Sequence, residues 1–328
     1  LMKAVWFERF GAAAEVLGTG DWPTPEPGPG EVLVALRTTG INPSDVKKRA
    51  GAFPDLLNQG PVIPHSDGAG IITAVGSGVP ASRIGERVFV YQAQYERSHG
   101  TAAQWVAIDS TRAPSLPDGT SFEVGACLGI PVLTAHRCVF ADGQVKDQWI
   151  LVTGGAGRVG HYAIQWAHRA GARVIATASN EVDAASCRSA GAHDVVNHRE
   201  AGWGLQVLEH TGGAKIDRAI DVEFGANLPE LLNCLGIGAT IACYSSTVVP
   251  QPTLPFRTMM FMDLTVRMVI VYAMPEDAKT QAVADTQALL VKDGLQHRIA
   301  ETLPFENMAI AHELIEKGSV RGCVVVTI

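Results

Sequence analysis

Three glycines spaced three residues apart mark the stretch of this sequence with the clearest chemistry. Residues 150–167 read ILVTGGAGRVGHYAIQWA, in which the spaced glycines are Gly154, Gly157 and Gly160, and a G-x-G-x-x-G pattern is completed by Gly155, Gly157 and Gly160. The pattern follows an apolar strand and opens an amphipathic helix. In that context it indicates a dinucleotide-binding loop, because glycine allows a tight turn and a close approach of the backbone to pyrophosphate. The N–H groups at the start of the helix, around Arg158 and Val159, would then face the phosphates.

The residues after the second strand bear on which dinucleotide binds. Enzymes that use NAD place an acidic residue there, about 20 residues beyond the glycines, to bind the ribose 2′-hydroxyl. This chain has Ala178, Ser179 and Asn180 instead, and such small neutral groups leave room for a 2′-phosphate. The sequence therefore favours NADPH over NADH. No Lys or Arg adjoins Ser179, so Arg158 and His198 are the candidate cationic partners.

The elements around the glycine loop predict a parallel sheet. Strand-like runs at 172–179, 216–222, 239–246 and 264–273 alternate with helical patterns, which is typical of a doubly wound Rossmann domain. Open sheets of this kind bind ligands at the carboxyl ends of their strands. We therefore assign to the cofactor crevice the residues that close two of these strands, Tyr244 and Ser245 in CYSS and, at the end of the last run, Val271 and Tyr272.

The first 125 residues have a different style. They are rich in Pro and Gly and carry strand-like runs at 31–41, 67–79, 85–92 and 102–109, which predict a mostly β unit. Residues 122–141 read as a helix that Pro131 must break or bend. Two helical segments, 275–294 and 308–318, and the strand CVVVTI close the sequence.

Composition excludes several classes of function. The chain is 47% hydrophobic and 18% charged, and its net charge of −7 comes from interspersed acidic and basic residues, which argues against a general nucleic-acid or anionic-membrane binder. It contains no apolar run of about 18 residues and no signal-peptide pattern, so we expect no membrane span and a cytoplasmic protein. The six cysteines form no C-x-x-C, so a disulfide framework and a four-cysteine zinc site are not expected.

The whole chain resembles the zeta-crystallin-like quinone oxidoreductases of the medium-chain dehydrogenase/reductase superfamily. The matching stretches are GINPSDVKKRAG (40–51), IPHSDGAGIITAVGSGV (63–79), GIPVLTAHRCV (129–139), ILVTGGAGRVG (150–160) and AGAHDVVNHRE (190–200). The resemblance implies an α/β protein with two domains. A GroES-like, mostly β catalytic domain would comprise residues 1–124 and 273–328, and a Rossmann NADP-binding domain would comprise residues 125–272.

The same resemblance bears on zinc. Members that use catalytic zinc take a cysteine from the segment equivalent to GINPSD and a histidine from the segment equivalent to PHSDGAG. Here Asn42 and Ser66 stand at those positions, with His65 one residue off. A third ligand would fall near Leu128, next to Cys127. These residues cannot form the usual three-ligand site, so we expect an enzyme without zinc.

An acceptor reduced without a metal must itself spread negative charge onto an oxygen, as quinones and activated enones do. The resemblance places Asn42 beside the nicotinamide, where its amide would donate to the acceptor oxygen or the carboxamide, unless it only caps the loop before Pro43. Asp45 would orient its neighbours or cap the following helix. Thr134 would face the nicotinamide end of the cofactor, or would be only a buried helix hydroxyl.

Lys47 departs from the tyrosine that many family members carry at this place. A cation there would stabilise a developing oxyanion, unless KKR is only a solvated basic turn. Lysine is also frequent at this position in alkenal and enone reductases of the superfamily, so the substrate class stays open.

Three functions are consistent with these residues. The first is zinc-independent transfer of hydride from NADPH to a quinone. The second is NADPH-dependent reduction of the double bond of α,β-unsaturated aldehydes or ketones. The third is a non-catalytic NADPH-binding protein with an RNA-binding or structural role, which the acidic balance weakens. Family members form dimers or tetramers, and the apolar run LTVRMVIVYA is a candidate edge strand for such pairing.

Overall fold

The computed structural model describes all 328 residues, and the chain forms two compact units. The first unit consists of Leu1–Ile130, Val283–Gly294 and Arg298–Ile328, and the second of Pro131–Ala282 and Leu295–His297. The limits expected from the sequence were residues 124 and 273. The structure divides the chain six residues later at the first place, after Ile130, and ten residues later at the second, before Val283, and it also assigns Leu295–His297 to the second unit.

Fourteen strands follow one another along the chain: β1 (Met2–Trp6), β2 (Gly18–Trp22), β3 (Glu31–Ile41), β4 (Asp67–Val75), β5 (Arg87–Val90), β6 (Trp105–Asp109), β7 (Trp149–Val152), β8 (Arg173–Ala178), β9 (Asp194–Asn197), β10 (Ile216–Asp221), β11 (Leu235–Cys243), β12 (Thr265–Met268), β13 (Ile299–Pro304) and β14 (Cys323–Thr327).

Eleven α-helices lie between them: α1 (Ala13–Val16), α2 (Pro43–Ala50), α3 (Phe122–Gly125), α4 (Ile130–Phe140), α5 (Arg158–Arg169), α6 (Glu181–Ala190), α7 (Trp203–His210), α8 (Phe224–Cys234), α9 (Phe256–Phe261), α10 (Glu276–Leu290) and α11 (Met308–Lys317). None of them has the length and apolar character that crossing a bilayer requires.

The first unit is built on a mixed sheet with β3 at its centre. The sheet runs β13-β14-β3-β4-β5, and β6 also pairs with β3. Along β3 the side chains of Val32, Val34 and Leu36 are buried and alternate with half-buried ones, which is the two-residue period of a strand with one face in the core. In the antiparallel pairing of β3 with β4, Gly40 lies opposite Asp67. The end of β3 and the start of β4 therefore meet.

The second unit confirms the predicted doubly wound parallel sheet. Its strand order is β12-β11-β10-β7-β8-β9, and every neighbouring pair is parallel. All four residues of β7 are buried, as expected for a strand with helices on both faces. The strand order reverses between β7 and β10. This is the switch point where open sheets bind ligands, at the carboxyl ends of the strands.

One local prediction was wrong, and the structure decides between the two outcomes left open for another. The strand expected at 264–273 ends at Met268 and gives way to a 3₁₀ turn at Val271–Ala273. Its only neighbour, β11, ends at Cys243, which is paired with Met268, so the ladder has no further partner. The helix expected over 122–141 is broken rather than bent, and Pro131 lies just after the break. It lies in the first turn of α4, where its missing N–H leaves no intrahelical bond unmade, and α3 ends earlier at Gly125.

Candidate active site and nucleotide cradle

The glycine loop joins β7 to α5 in a tight turn. Gly154 has a φ of 58°, and its N–H donates to the Thr177 hydroxyl at 3.0 Å. The N–H of Gly155 donates to the carbonyl of the same Thr177 at 2.9 Å. A Cβ at Gly160 would lie only 2.3 Å from the Gly154 carbonyl oxygen. Helix α5 therefore packs against the turn more closely than any residue other than glycine at position 160 would permit.

The N-terminus of α5 is suited to bind an anion. Gly157 is the N-cap and provides no side-chain hydrogen bond to the helix. Within 4 Å of a Cβ placed at Gly157 there is only one protein atom, the carbonyl oxygen of Gly154, at 3.3 Å. The sequence assigned Arg158 and Val159 to the cradle, and they form the first turn of α5. An uncapped helix start beside an open glycine face can bind the pyrophosphate of a dinucleotide through backbone N–H groups and the helix dipole.

The end of β8 presents the residues expected to select the ribose. Ser179 is half-buried, whereas Asn180 caps α6. The Asn180 Oδ1 accepts from the Asp183 N–H at 2.9 Å, and its Nδ2 donates to the Asp183 carboxylate at 2.9 Å. His198 contacts the Thr177 hydroxyl through Nδ1 at 3.1 Å. The Thr177 hydroxyl thus joins His198 to the glycine loop, a link that the sequence did not indicate.

A buried carboxyl supports the loop from β10. Asp221 is 0% exposed, and its Oδ1 accepts from Thr153 at 2.7 Å and from Asn227 at 2.8 Å. Its Oδ2 has no partner, and burial raises the pKa of the carboxyl. Tyr244 follows β11 and donates its N–H to the Asp221 carbonyl at 3.2 Å. Sequence reasoning missed Asp221, although a polar residue ending a buried strand beside the glycine loop is a recognisable signal.

The remaining residues assigned to the cofactor lie in three places within the second unit. Thr134 is buried on α4, and Ser245 is half-buried just beyond β11. Val271 is buried and Tyr272 half-buried in the 3₁₀ turn after β12. Their contact with a cofactor stays a prediction.

The first unit holds a buried polar cluster where β3, α2 and β4 meet. Asn42 caps α2, and its N–H donates to the Asp45 carboxylate at 2.7 Å. The Asn42 amide Nδ2 donates to Asp67 Oδ2 at 2.8 Å, and the N–H of Ile130 donates to the same oxygen at 2.9 Å. Asn42 is 3% exposed, Asp45 1% and Asp67 0%. The structure thus joins Asn42 to Asp45 and to Asp67.

Burial shapes the charges of this cluster. Desolvation and, after it, the neighbouring Asp45 together raise the pKa of Asp67 to about 8, against hydrogen bonds from Ile130 and Asn42. Desolvation also raises the pKa of Asp45 to about 6, although Lys48 opposes it. The Oδ1 atoms of Asp45 and Asp67 have no hydrogen-bond partner. Two carboxylates this close in a dry site do not both ionise easily, so Asp67 carries a proton at neutral pH.

The cation of this cluster is Lys48, whereas Lys47 is exposed on α2. Lys48 is 5% exposed, and its Nζ donates to the Gln94 carbonyl at 2.7 Å. The positive charge of Lys48 lowers the pKa of both Asp45 and Asp67. The helical period contains a signal for this, because Asp45 and Lys48 are three residues apart and share a helix face, whereas Lys47 does not. The predicted role of Lys47 stays a prediction.

The residues at the expected zinc positions do not fit a catalytic zinc ion. The Asn42 amide is bonded to Asp67, and Ser66 has 0% exposure. Both ring nitrogens of His65 already have partners, at 2.9 and 2.7 Å. No group of three or more His, Cys, Asp or Glu side chains lies in an arrangement that could hold a metal ion. A catalytic zinc site needs three such ligands and one open position.

Two family models match the chain. The model described as the alcohol dehydrogenase GroES-like domain matches residues 28–120, and the one described as zinc-binding dehydrogenase matches residues 159–287. The first therefore includes the Asn42 cluster. The second begins within the glycine loop, at Val159.

Curated relatives and solved structures extend the similarity to the full chain. The human quinone oxidoreductase is 32% identical over 324 residues, which cover 97% of this chain and 95% of the relative. An NAD-dependent alcohol dehydrogenase of known structure is 28% identical, with a TM-score of 0.87 and 100% of each chain covered. A mycobacterial protein complexed with NADPH is 25% identical, also with a TM-score of 0.87 and full coverage of both chains.

Proposed function

The chain belongs to the quinone oxidoreductases of the medium-chain dehydrogenase/reductase superfamily, and we propose that it transfers hydride from NADPH to a quinone without zinc. The observation that carries this proposal is the buried Asn42–Asp67 hydrogen bond, with Lys48 as a nearby cation and with no set of three metal-binding side chains. By the resemblance, Asn42 stands where zinc-dependent relatives have a cysteine ligand. An acceptor reduced there must depend on hydrogen bonding to stabilise its oxygen.

The second unit supplies the residues that bind the cofactor. The glycine loop and the N-terminus of α5 bind the pyrophosphate. Ser179 and His198 lie at the adenosine ribose, where neutral groups accommodate a 2′-phosphate. The side chain of Asn180 caps α6, so Asn180 fixes the backbone beside the ribose and does not offer a free amide to it. When NADPH is bound, its nicotinamide supplies the hydride.

The first unit supplies the residues that stabilise the acceptor. The Asn42 amide has two N–H bonds, of which one is donated to Asp67. The second donates to the oxygen that becomes negative as hydride is transferred. Because Asp67 is protonated at neutral pH, the amide is oriented by an uncharged group. An ionised Asp67 would repel the developing oxyanion through the same hydrogen bond.

Loss of nicotinamide absorbance tests this function directly. Chelator-treated protein is mixed with NADPH and a simple ortho-quinone, with NADH and a 2-alkenal in parallel. We expect turnover with NADPH and quinone that the chelator does not change. Preference for the alkenal would instead support the double-bond reductase, and NADPH binding without any turnover would support the non-catalytic alternative. Loss of activity with chelator, restored by zinc, would refute zinc independence.

A matched pair of variants tests the Asn42 amide. Asn42→Ala removes the donor to the acceptor oxygen, so kcat should fall by roughly 100-fold, as for the loss of one oxyanion donor, while NADPH binding is retained. Asn58→Ala is the control, because Asn58 is exposed in the same unit and donates only weakly, at 3.3 Å, to Asp55. Equal losses in the two variants would contradict the assignment.

We propose a homodimer that pairs through β12. This edge strand has only one neighbour, β11, and exposed apolar side chains lie on and near it. Met268 is 74% exposed, Ile270 54% and Phe261 68%. An edge of this kind pairs readily with a second copy. Light scattering of the wild type and of Met268→Lys tests the assignment, and a monomeric wild type would refute it.

A further inference from the structure

A line of buried side chains in the first unit begins at the half-exposed Glu316 of α11. The Glu316 carboxylate contacts Arg49 at 2.6 Å, and Arg49 is 1% exposed. The Arg49 guanidinium contacts Nδ1 of His312 at 3.0 Å. The Nε2 atoms of His312 and His65 are 2.7 Å apart, and both histidines are 0% exposed. The line thus runs from Glu316 on α11 to Arg49 on α2, returns to α11 at His312, and reaches His65 just before β4.

The line continues from His65 to the backbone of Asp67. His65 Nδ1 lies 2.9 Å from the Thr39 hydroxyl, which lies 2.6 Å from the Thr101 hydroxyl. The Thr101 hydroxyl donates to the Asp67 carbonyl oxygen at 2.6 Å. Thr39 and Thr101 are both 0% exposed. The line therefore ends on the residue whose carboxyl accepts the Asn42 amide.

Arginine sets the direction of every hydrogen bond in this line. A guanidinium only donates, so His312 Nδ1 must accept, and the proton of the neutral His312 ring lies on Nε2. His312 therefore donates to His65 Nε2, which places the His65 proton on Nδ1, facing Thr39. Each threonine hydroxyl then accepts one bond and donates the next. All donors point from Arg49 toward Asp67.

The backbone of His65 indicates that its side chain is needed. His65 has a φ of 83°, in the left-handed region that favours glycine. A residue other than glycine there costs free energy, and it persists where surrounding contacts hold it in place. The two ring hydrogen bonds are such contacts.

The line requires both imidazoles to be neutral. Desolvation lowers the pKa of His65 to about 3. Desolvation, His65 and the positive charge of Arg49 lower the pKa of His312. The charged groups at the far end are Arg49 and Glu316, which pair with each other.

We propose that His65 and His312 are positioning residues that transmit a one-way hydrogen-bond chain from Arg49 to the Asp67 carbonyl, and thereby orient the carboxyl on which Asn42 rests. The proposal rests on the proposed function only for its kinetic consequence. Reversal at His65 would turn the Thr39 proton toward His65 Nδ1, so Thr101 would no longer accept a hydrogen bond from Thr39, and its own donation to the Asp67 carbonyl would weaken. Asp67 is the first residue of β4, so its carboxyl would then be less firmly oriented against Asn42.

Two substitutions of His312 separate direction from packing. His312→Gln can accept from Arg49 through Oε1 and donate to His65 through Nε2, so it preserves the direction. His312→Glu keeps an ion pair with Arg49 but only accepts, which moves the His65 proton to Nε2, turns the Thr39 hydroxyl toward His65 Nδ1 and removes the bond that Thr39 donates to Thr101. We expect kcat for quinone reduction to fall about tenfold in the Glu variant, the equivalent of one hydrogen bond, with NADPH affinity unchanged. The Gln variant should restore most of kcat.

A readout without substrate tests the chain independently of quinone turnover. Nitrogen-15 correlation spectra of the imidazoles should show a proton on Nε2 of His312 and on Nδ1 of His65 in the wild type, with the His65 proton moved to Nε2 in His312→Glu. Opposite tautomers in the wild type would overturn the proposal. Correct tautomers without any quinone turnover would refute only the proposed function. Equal kcat in folded Gln and Glu variants would overturn the positioning role.

Thr101 provides the second pair of variants if His312→Glu does not fold. Thr101→Val has nearly the same shape but removes the donor to Asp67, whereas Thr101→Ser keeps it. The Val variant should lose several-fold in kcat, and the Ser variant should restore it, with Asp67 titrating at a different pH only in the Val variant. No difference between the two in kcat and in that titration would overturn the proposal.

Discussion

Replacing Asp67 by asparagine should make the enzyme indifferent to alkaline pH. In the wild type, burial and the neighbouring Asp45 raise the pKa of Asp67 to about 8. Asparagine has the same shape as a protonated aspartate, and its oxygen can still accept from Asn42 and from the N–H of Ile130. In turnover, the Asp67→Asn variant should therefore resemble the wild type at pH 6 to 7 and differ from it only above about pH 8.

The size of the effect follows from the raised pKa. The carboxyl has a pKa of about 8 in the folded chain against an ordinary value of 3.8. Because the folded-state pKa is raised, its contribution to stability is complete below about pH 4 and is lost as pH rises through 8. The loss is on the order of 5 kcal/mol. Above pH 8 the ionised Asp67 should also lower kcat, since its charge opposes the oxyanion that Asn42 stabilises.

Three measurements check this prediction. The first is kcat for NADPH and quinone between about pH 6 and 9.5, which should fall above pH 8 in the wild type but not in Asp67→Asn. The second is the urea midpoint between about pH 4 and 9.5, which should fall in the wild type as pH rises from about 4 to 8 and level off above 8, but should not show this fall in Asp67→Asn. The third is the infrared carbonyl band of a protonated carboxylic acid, which should vanish in the variant. Asp55→Asn, at an exposed position of the same unit, should behave as the wild type. Identical pH profiles for wild type and Asp67→Asn would refute the reasoning.

Three further predictions concern the cradle, the cation and the ribose site. Gly157→Ala should preserve thermal stability but weaken NADPH binding at least tenfold, because the added Cβ meets only one protein atom yet occupies the face expected to bind the phosphates. Gly160→Ala should instead lower the melting temperature, because its Cβ would lie 2.3 Å from a carbonyl oxygen. Calorimetry and NADPH titration distinguish the two variants. Lys48→Met should reduce turnover and stability by leaving the Asp45 charge without its buried cation, at a cost of about 3 kcal/mol. Lys47→Met, at an exposed position, should change neither. Comparable losses in the two variants would show that the cation was misassigned. Ser179→Asp should shift the ratio of kcat/KM toward NADH by more than tenfold, because a carboxylate repels the 2′-phosphate, and an unchanged ratio would place the 2′-phosphate elsewhere.

Local patterns were sufficient to predict the parts of the fold that depend on near neighbours. The glycine loop could be located because a buried strand, a glycine turn and an amphipathic helix are consecutive in the chain. Strand β3 was predicted at its observed limits, 31–41, because an apolar, strand-like run directly follows the Pro-Gly turns of PEPGPG. The error at 264–273 has the opposite cause. Those residues are apolar enough for a longer strand, but the length of β12 depends on the end of β11, far away in sequence.

The candidate site was predicted only in part because its chemistry depends on long-range contacts. Asn42 and Asp45 are close in sequence and cap one helix, so both could be proposed. Asp67 lies 25 residues from Asn42 and reaches it only because β3 and β4 are antiparallel. Thr177 lies 23 residues from Gly154 and contacts it only because β7 and β8 pair in parallel. No local pattern reports such pairs, and both residues resemble ordinary strand ends in the sequence.

The two kinds of ionisable group buried around Asp67 explain why the site can accept negative charge. Some are charged and paired, as Arg49 is with Glu316 at 2.6 Å. The others are held neutral by burial, since the pKa of Asp67 is raised and that of His65 is lowered. A charge kept in a dry interior needs a partner, and a group without one changes its protonation state instead. In the proposed function, an oxyanion developing at Asn42 would therefore have an uncharged carboxylic acid behind the amide, with Lys48 as the nearby cation.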